Sequence, residues 1–177
     1  MSEANLAEWP TQRVGLFVDT QNLYYAARDG HGRHVDYARL LSFAARGRRV
    51  AQASAYVVER EGERQAFGFV TKLSVLGYRV RRRTVRVHRV DDEGRTVQEG
   101  DWDMGIVADM VRAWDGLDVL ILASGDGDFV PIVRVAQDRG LRVESAAFRA
   151  TTSQDLIDVV DRFDDLAEVR GVFVGEE

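Results

Sequence analysis

Short apolar runs at Val14 to Val18, Ala53 to Val58, Tyr78 to Val80, Val119 to Ala123 and Leu141 to Ala147 alternate with stretches of helical apolar spacing, and that alternation constrains the fold most. Strands that are apolar on both faces need cover on both faces, and right-handed crossovers place the intervening helices there. The chain therefore reads as α/β: a Rossmann-like three-layer domain around a mostly parallel sheet in the order 3-2-1-4-5.

The helices announce themselves by caps and stripes. Asp36 is placed to cap a helix carrying Leu40, Leu41 and Ala44. Ala66, Phe69, Val70, Leu73 and Leu76 form a stripe that Gly77 ends, and Ile106, Met110 and Trp114 repeat the spacing. Phe129, Ile132, Val133 and Ala136 make another, with Pro131 in its first turn and Gly140 beyond its end. Ser153 or Thr152 begins a last helix expected to carry Leu156, Val159, Val160 and Phe163. At 177 residues the chain suits one domain, read as residues 13–169 between loose tails at 1–12 and 170–177. Its two halves, 13–90 and 100–169, are joined by an excursion from Arg81 to Gly100 with a hairpin turn at Asp91-Asp92-Glu93-Gly94.

Two of the apolar runs end in aspartate. Val14 to Val18 delivers Asp19, and Val119 to Ala123 delivers Ser124-Gly125-Asp126-Gly127-Asp128-Phe129. In the predicted order these strands flank the point where strand order reverses, which is where such sheets bind ligands. Carboxylates about 4 Å apart repel by roughly 4 kcal/mol at an effective dielectric of 20, so a cluster of them calls for a cation. Mg2+ or Mn2+ suits hard oxygen ligands that leave positions open for water and substrate. Read blandly, Asp126 and Asp128 are only turn and cap residues; Asp19 at a matching strand end favours the metal, with Asp128 also free to cap the next helix. Asp103 and Asp109 both belong to the helix after Trp102, but six positions turn a helix by roughly 600°, so only one can face the cluster. Asp103 is the expected one.

Other chemistry is excluded or disfavoured. There is no cysteine, hence no disulfide or thiolate site. Val130 stands where a dinucleotide-binding fingerprint needs its third glycine, and Ser124 lacks the glycines of a hydrolase elbow, so it should orient the turn. His31 and His34 lie in a loop that does not read as a ligand pair. A net charge of −5 argues against coating nucleic acid by bulk electrostatics. No apolar stretch is long enough to span a membrane, and the polar N-terminus does not resemble a signal, which predicts a soluble, cytoplasmic protein.

These blocks together resemble the NYN domain family, the LabA-like relatives of PIN-domain nucleases, over Arg13 to Ala167. Val14 to Asp19 with Asn22 matches the opening strand, Gly100 to Asp103 with Ile106 and Asp109 the middle motif, Ser124 to Pro131 the third block, and Ser153, Leu156, Asp161 and Phe163 the closing pattern. The resemblance implies a PIN-like fold and metal-dependent cleavage of RNA, with Asp19, Asp103, Asp126 and Asp128 holding Mg2+ or Mn2+. Asn22 would orient a ligand or touch substrate, while Ser124, Asp109, Ser153 and Asp161 would support the site. Where the family's middle block commonly begins with lysine, this chain has Glu99, so an arginine would have to supply any phosphate contact there.

Arg79, Arg81, Arg82, Arg83, Arg86, His88 and Arg89 form a basic ribbon; Arg81, Arg83 and Arg86 are the candidate RNA contacts. Strand alternation would divide the ribbon between two faces, and an equally good reading is a charged edge strand protected from aggregation. Two other functions compete with the nuclease. One is a non-catalytic RNA-binding or regulatory module, alone, as a homo-oligomer or with a protein partner. The other is a phosphotransferase using Asp19 as nucleophile, disfavoured because Gln21 stands where a second acid is usual.

Overall fold

A computed structural model describes residues 10–60, 65–85 and 102–176 of the protein, with the side chains of residues 60, 65, 66 and 85 excepted. The elements are β1 (Arg13–Asp19), α1 (Thr20–His31), α2 (Tyr37–Ala45), β2 (Arg49–Arg60), α3 (Gln65–Val75), β3 (Arg79–Val85), α4 (Asp103–Ala113), β4 (Val119–Ala123), α5 (Val130–Asp138), β5 (Arg142–Ala147), α6 (Gln154–Val159) and β6 (Arg162–Asp165). The six strands form one sheet in the order β3-β2-β1-β4-β5-β6, with every pair parallel. The predicted α/β class and strand order hold, and β6 extends the sheet.

Strand alternation divides the core into two layers. Val14, Leu16 and Val18 of β1 and Val119, Ile121 and Ala123 of β4 pack with Leu23, Ala27, Leu40 and Leu73 from α1, α2 and α3. Phe17, Leu120 and Leu122 point the other way, onto Ile106 and Met110 of α4, Phe129 just before α5, Val133 of α5 and Leu156 of α6. Every residue of Val119–Ala123 is buried, which is why this strand reads as an unbroken apolar run. Chain winding thus changes face between β1 and β4. α1 leaves β1 toward one layer while the turn after β4 leads into the other, and the two departures open a crevice at the C-terminal strand ends.

The Asp36 cap and two glycine stops hold. Asp36 accepts hydrogen bonds from the Ala38 and Arg39 backbone N–H groups at 2.9 and 3.0 Å. Gly77 ends its stripe at φ +95° and Gly140 sits at +85°. Three expectations need correction. β3 runs through Val85, so the first residues assigned to the excursion belong to the sheet; Tyr56 to Arg60 of β2 supply the ladder that extends it. Phe163 belongs to β6, because the backbone N–H of Val160 closes α6 on Leu156 and the chain then pairs with β5. The C-terminal segment packs back: Val172 and Phe173 are buried, and Asp36 N–H donates to the Val172 carbonyl at 2.7 Å. His31 lies against Phe148 and Phe173, and His34 stacks on Tyr24, so both histidines are engaged by aromatic rings. Arg86, His88, Arg89, the Asp91–Gly94 turn, Glu99, Gly100 and Asp101 lie outside the described residues.

One buried ion pair escaped the sequence reading. Arg48, just before β2, gives Nη1 and Nη2 to the Glu144 carboxylate at 3.0 and 2.8 Å, and Arg142 Nε adds a third bond at 2.8 Å. Burial by itself raises the Glu144 carboxyl, but these bonds outweigh it and hold the group below the usual glutamate range.

Candidate active site

Asp19 ends β1 and caps α1, accepting the Asn22 backbone N–H at 3.1 Å. Its other oxygen accepts the hydroxyl of Ser124, buried at the end of β4, at 3.3 Å. Ser124 Oγ in turn accepts the Asp126 N–H at 3.3 Å, and the Asn22 side-chain oxygen accepts the Gly125 N–H at 3.0 Å. These bonds lock the two strand ends together. Burial raises the Asp19 carboxyl above the ordinary aspartate range; the Asn22 and Ser124 hydrogen bonds oppose that shift, and the charge of Asp126 adds to it.

Asp126 accepts the Asp128 N–H at 2.9 Å, capping a single 3-10 turn over Gly127–Phe129 that leads into α5. The cap role considered for Asp128 therefore belongs to Asp126, and Phe129, at the α5 cap position, makes no side-chain cap bond. Phe129 is fully buried and anchors the turn.

Neither Gly125 nor Gly127 has a positive φ, so turn conformation does not demand glycine at either place. Close approach does. A Cβ on Gly125 would lie 2.7 Å from Thr152 Oγ1 and 3.0 Å from the Thr152 Cα, and one on Gly127 would lie 2.7 Å from Ser153 Oγ. The Ser153 N–H also donates to the Gly125 carbonyl at 2.9 Å. Ser153 thus supports the turn from the β5–α6 loop; its side chain makes no cap bond to α6.

Asp103 is the first residue of α4, and Trp102 positions it. The Trp102 indole Nε1 donates to the Val57 carbonyl at 3.0 Å, its ring meets Tyr56 at a centroid distance of 5.6 Å, and it occupies the space a Cβ on Gly105 would need. Carboxylate oxygens of Asp103, Asp126 and Asp128 lie within 4.8 Å of one another. Asp19 lines the same crevice, of about 460 Å³, but stands outside that group of three, held by Ser124 and Asn22. Ligand oxygens on one octahedral ion lie about 3–4 Å apart, so these three hard donors, gathered within 4.8 Å, would draw in slightly to hold a magnesium-type cation.

Asp109 turns away from the crevice, as the helical rotation predicts. It is buried and accepts from Tyr56 Oη at 3.0 Å, Arg81 Nε at 3.2 Å and Arg112 Nη1 at 3.1 Å. Through Tyr56 it bears on Trp102, so its link to the site is indirect. Asp161 sits at the opposite, N-terminal end of the strands, accepting the Val143 N–H at 2.7 Å and Gln137 Nε2 at 3.2 Å. That position joins β5 to β6 and is remote from the crevice. Arg81 is engaged by Asp109, Arg82 makes a bidentate pair with Glu59 at 2.9 and 3.0 Å, and Arg83 is exposed on the sheet's edge strand. Arg86 lies outside the described residues. Sequence reasoning missed Tyr56 and Thr20, whose hydroxyl donates to the Tyr56 carbonyl at 2.6 Å. The spacing of Trp102 and Gly105 was a signal available for the ring-on-glycine contact.

A doubly wound parallel sheet with a carboxylate crevice at its reversal point is the architecture of the PIN-like α/β domains. The chain belongs to the NYN domain family, whose model matches residues 13–167. It is similar to the low amplitude and bright protein LabA of Synechococcus elongatus, at 27% identity over 160 residues that cover 89% of this chain and 86% of that protein. Its fold matches the crystal structure of a Vibrio parahaemolyticus protein of unknown function, with a TM-score of 0.76, 30% identity, and coverage of 88% of this chain and 93% of that one.

Proposed function

We propose that this protein is a divalent-metal-dependent endoribonuclease that hydrolyses phosphodiester bonds of single-stranded RNA. The observation that carries the reading is the convergence of Asp103, Asp126 and Asp128, from two separate parts of the chain, within 4.8 Å. Mg2+ or Mn2+ bound there would lower the pKa of a coordinated water and offset charge on the scissile phosphate.

The chain's own residues do the rest. Asp103, Asp126 and Asp128 hold the cation, and Asp19 adds a fourth negative charge to the wall of the crevice. Asn22 and Ser124 fix the backbone of the turn that carries Asp126, and the Asp128 N–H holds one oxygen of its carboxylate. Trp102 keeps the start of α4 against β2 and thereby sets the distance of Asp103 from the other two. No side-chain nucleophile is required. Among the described residues no helix is long and apolar enough to cross a membrane.

The test is a mixed RNA pool incubated with and without Mn2+, wild type beside Asp126→Asn. Cleavage that needs the metal and disappears in the variant supports the assignment; cleavage surviving in Asp126→Asn rejects it. A wild type that binds RNA but cuts nothing with Mg2+ or Mn2+ would instead make the chain a binding module.

A further inference from the structure

The crevice has an aromatic wall that the acidic chemistry leaves unused. Tyr25, half-buried on α1, lines the cavity that also contains Asp19, Asn22, Asp103, Asp126 and Asp128. Trp102 lines it too, but its ring and Nε1 are already engaged by Gly105, Tyr56 and Val57. Tyr25 is braced rather than buried. The Arg28 guanidinium lies over its ring at 4.8 Å from the centroid, and Tyr24 meets it edge-on at 5.4 Å. Arg28 is itself tethered by Asp29, another residue of the crevice wall, at 2.6 Å, and Tyr24 is stacked on His34 at 5.7 Å.

A partly exposed ring held by two neighbours loses little entropy when a flat ligand settles on it. A nucleobase is such a ligand, and it can reach a side chain only when splayed from an unpaired strand. At about 460 Å³ the crevice is in the range of small-ligand sites. The acidic cluster repels phosphate until a cation is bound, so a neutral stacking contact is what the wall can offer at all times. We infer that Tyr25, braced by Arg28 and Tyr24, is the platform on which an unpaired nucleobase stacks, positioning the adjoining phosphate at the Asp103, Asp126 and Asp128 cluster. The inference rests on this crevice being where RNA is cut, and it makes Tyr25 a determinant of single-strand preference.

The experiment measures binding apart from cleavage. Full-length Asp126→Asn protein is titrated with fluorescent hexa-adenylate in Mg2+, alone and combined with Tyr25→Ala or Tyr25→Phe, and with an abasic strand of the same length. Loss of one base-stacking contact weakens binding by about 5- to 150-fold, so Tyr25→Ala should fall in that range while Tyr25→Phe stays near the parent. The abasic strand should bind the parent weakly and be indifferent to Tyr25→Ala. In the otherwise wild-type enzyme, Tyr25→Ala should raise KM and spare kcat. Equal affinity of parent and Tyr25→Ala overturns the inference, as does equal binding of the abasic strand. Matching losses in Tyr25→Ala and Tyr25→Phe, both with native thermal unfolding, also reject a ring-stacking role. If Tyr25 governs base-dependent binding but the wild type never cuts, the nuclease reading fails and the platform stands. If cutting requires Asp126 and ignores Tyr25, the platform fails and the nuclease stands.

Discussion

Gly127→Ala, followed by its rescue, tests why glycine stands between two of the cluster aspartates. The new Cβ would sit 2.7 Å from Ser153 Oγ and 3.0 Å from Ser153 Cβ. Rotating the hydroxyl relieves only the first contact, because Cβ is fixed to the backbone. Overpacking of this kind costs about 1–3 kcal/mol. Ser153→Gly removes both offending atoms, and since Ser153 makes no side-chain cap bond to α6, that change alone should cost only about a few tenths of a kcal/mol. Equilibrium urea unfolding of the wild type, both single variants and the double variant gives the coupling directly, expected at roughly 1–2 kcal/mol in favour of the double variant. The loop shift forced by Gly127→Ala should also weaken the Mn2+-induced rise in melting temperature, because Asp126 and Asp128 flank the altered residue. Gly127→Ala unfolding like wild type, or staying destabilised after Ser153→Gly, would show that close approach to Ser153 is not what glycine serves here.

Other predictions follow from the same structure. Asp126→Asn keeps a side-chain oxygen for the Asp128 N–H while removing one of the clustered charges; without metal it should melt higher than wild type, by roughly 2–4 °C for each kcal/mol of relieved repulsion, and should lose the thermal shift on adding Mn2+, both read by scanning fluorimetry. Glu144→Gln leaves the buried Arg48 guanidinium without its countercharge and should cost about 3–5 kcal/mol in urea unfolding. Because the folded Glu144 pKa is depressed, its contribution is complete above the unfolded-state value of 4.5 and is lost as pH falls below that toward the folded value; the stability difference between wild type and Glu144→Gln should therefore narrow on acidification. Truncation after Arg170 strips the buried Val172 and Phe173 from the core and should cost about 3–6 kcal/mol by chemical denaturation.

Much of the sheet was legible because periodicity and strand burial are local properties of the chain. An apolar run buried on both faces, such as Val119–Ala123, has few alternatives to a central parallel strand, and two such strands ending in aspartate at a reversal point already imply a crevice. The separation of Asp103 from Asp109 was legible for the same reason, since helix pitch alone sends them to different faces. β6 was not. Arg162–Asp165 has one apolar residue in four, and it becomes a strand by pairing with β5. The docking of Val172 and Phe173 likewise depends on a surface assembled from distant segments.

By itself, the sequence determined the α/β class and the reversal point, and helix pitch separated Asp103 from Asp109, since each follows from the periodicity of a few neighbouring residues; that Asp103 joins Asp126 and Asp128 while Asp19 stands outside the group was set by the tertiary structure. Only tertiary structure decided what holds those carboxylates in place. Ser124 bridging Asp19 to the Asp126 backbone, Trp102 pinned to β2, glycines dictated by Thr152 and Ser153, and Arg48 meeting Glu144 all join residues remote in sequence. Such contacts leave no repeating trace along the chain, because each is set by two side chains that meet once the layers have packed.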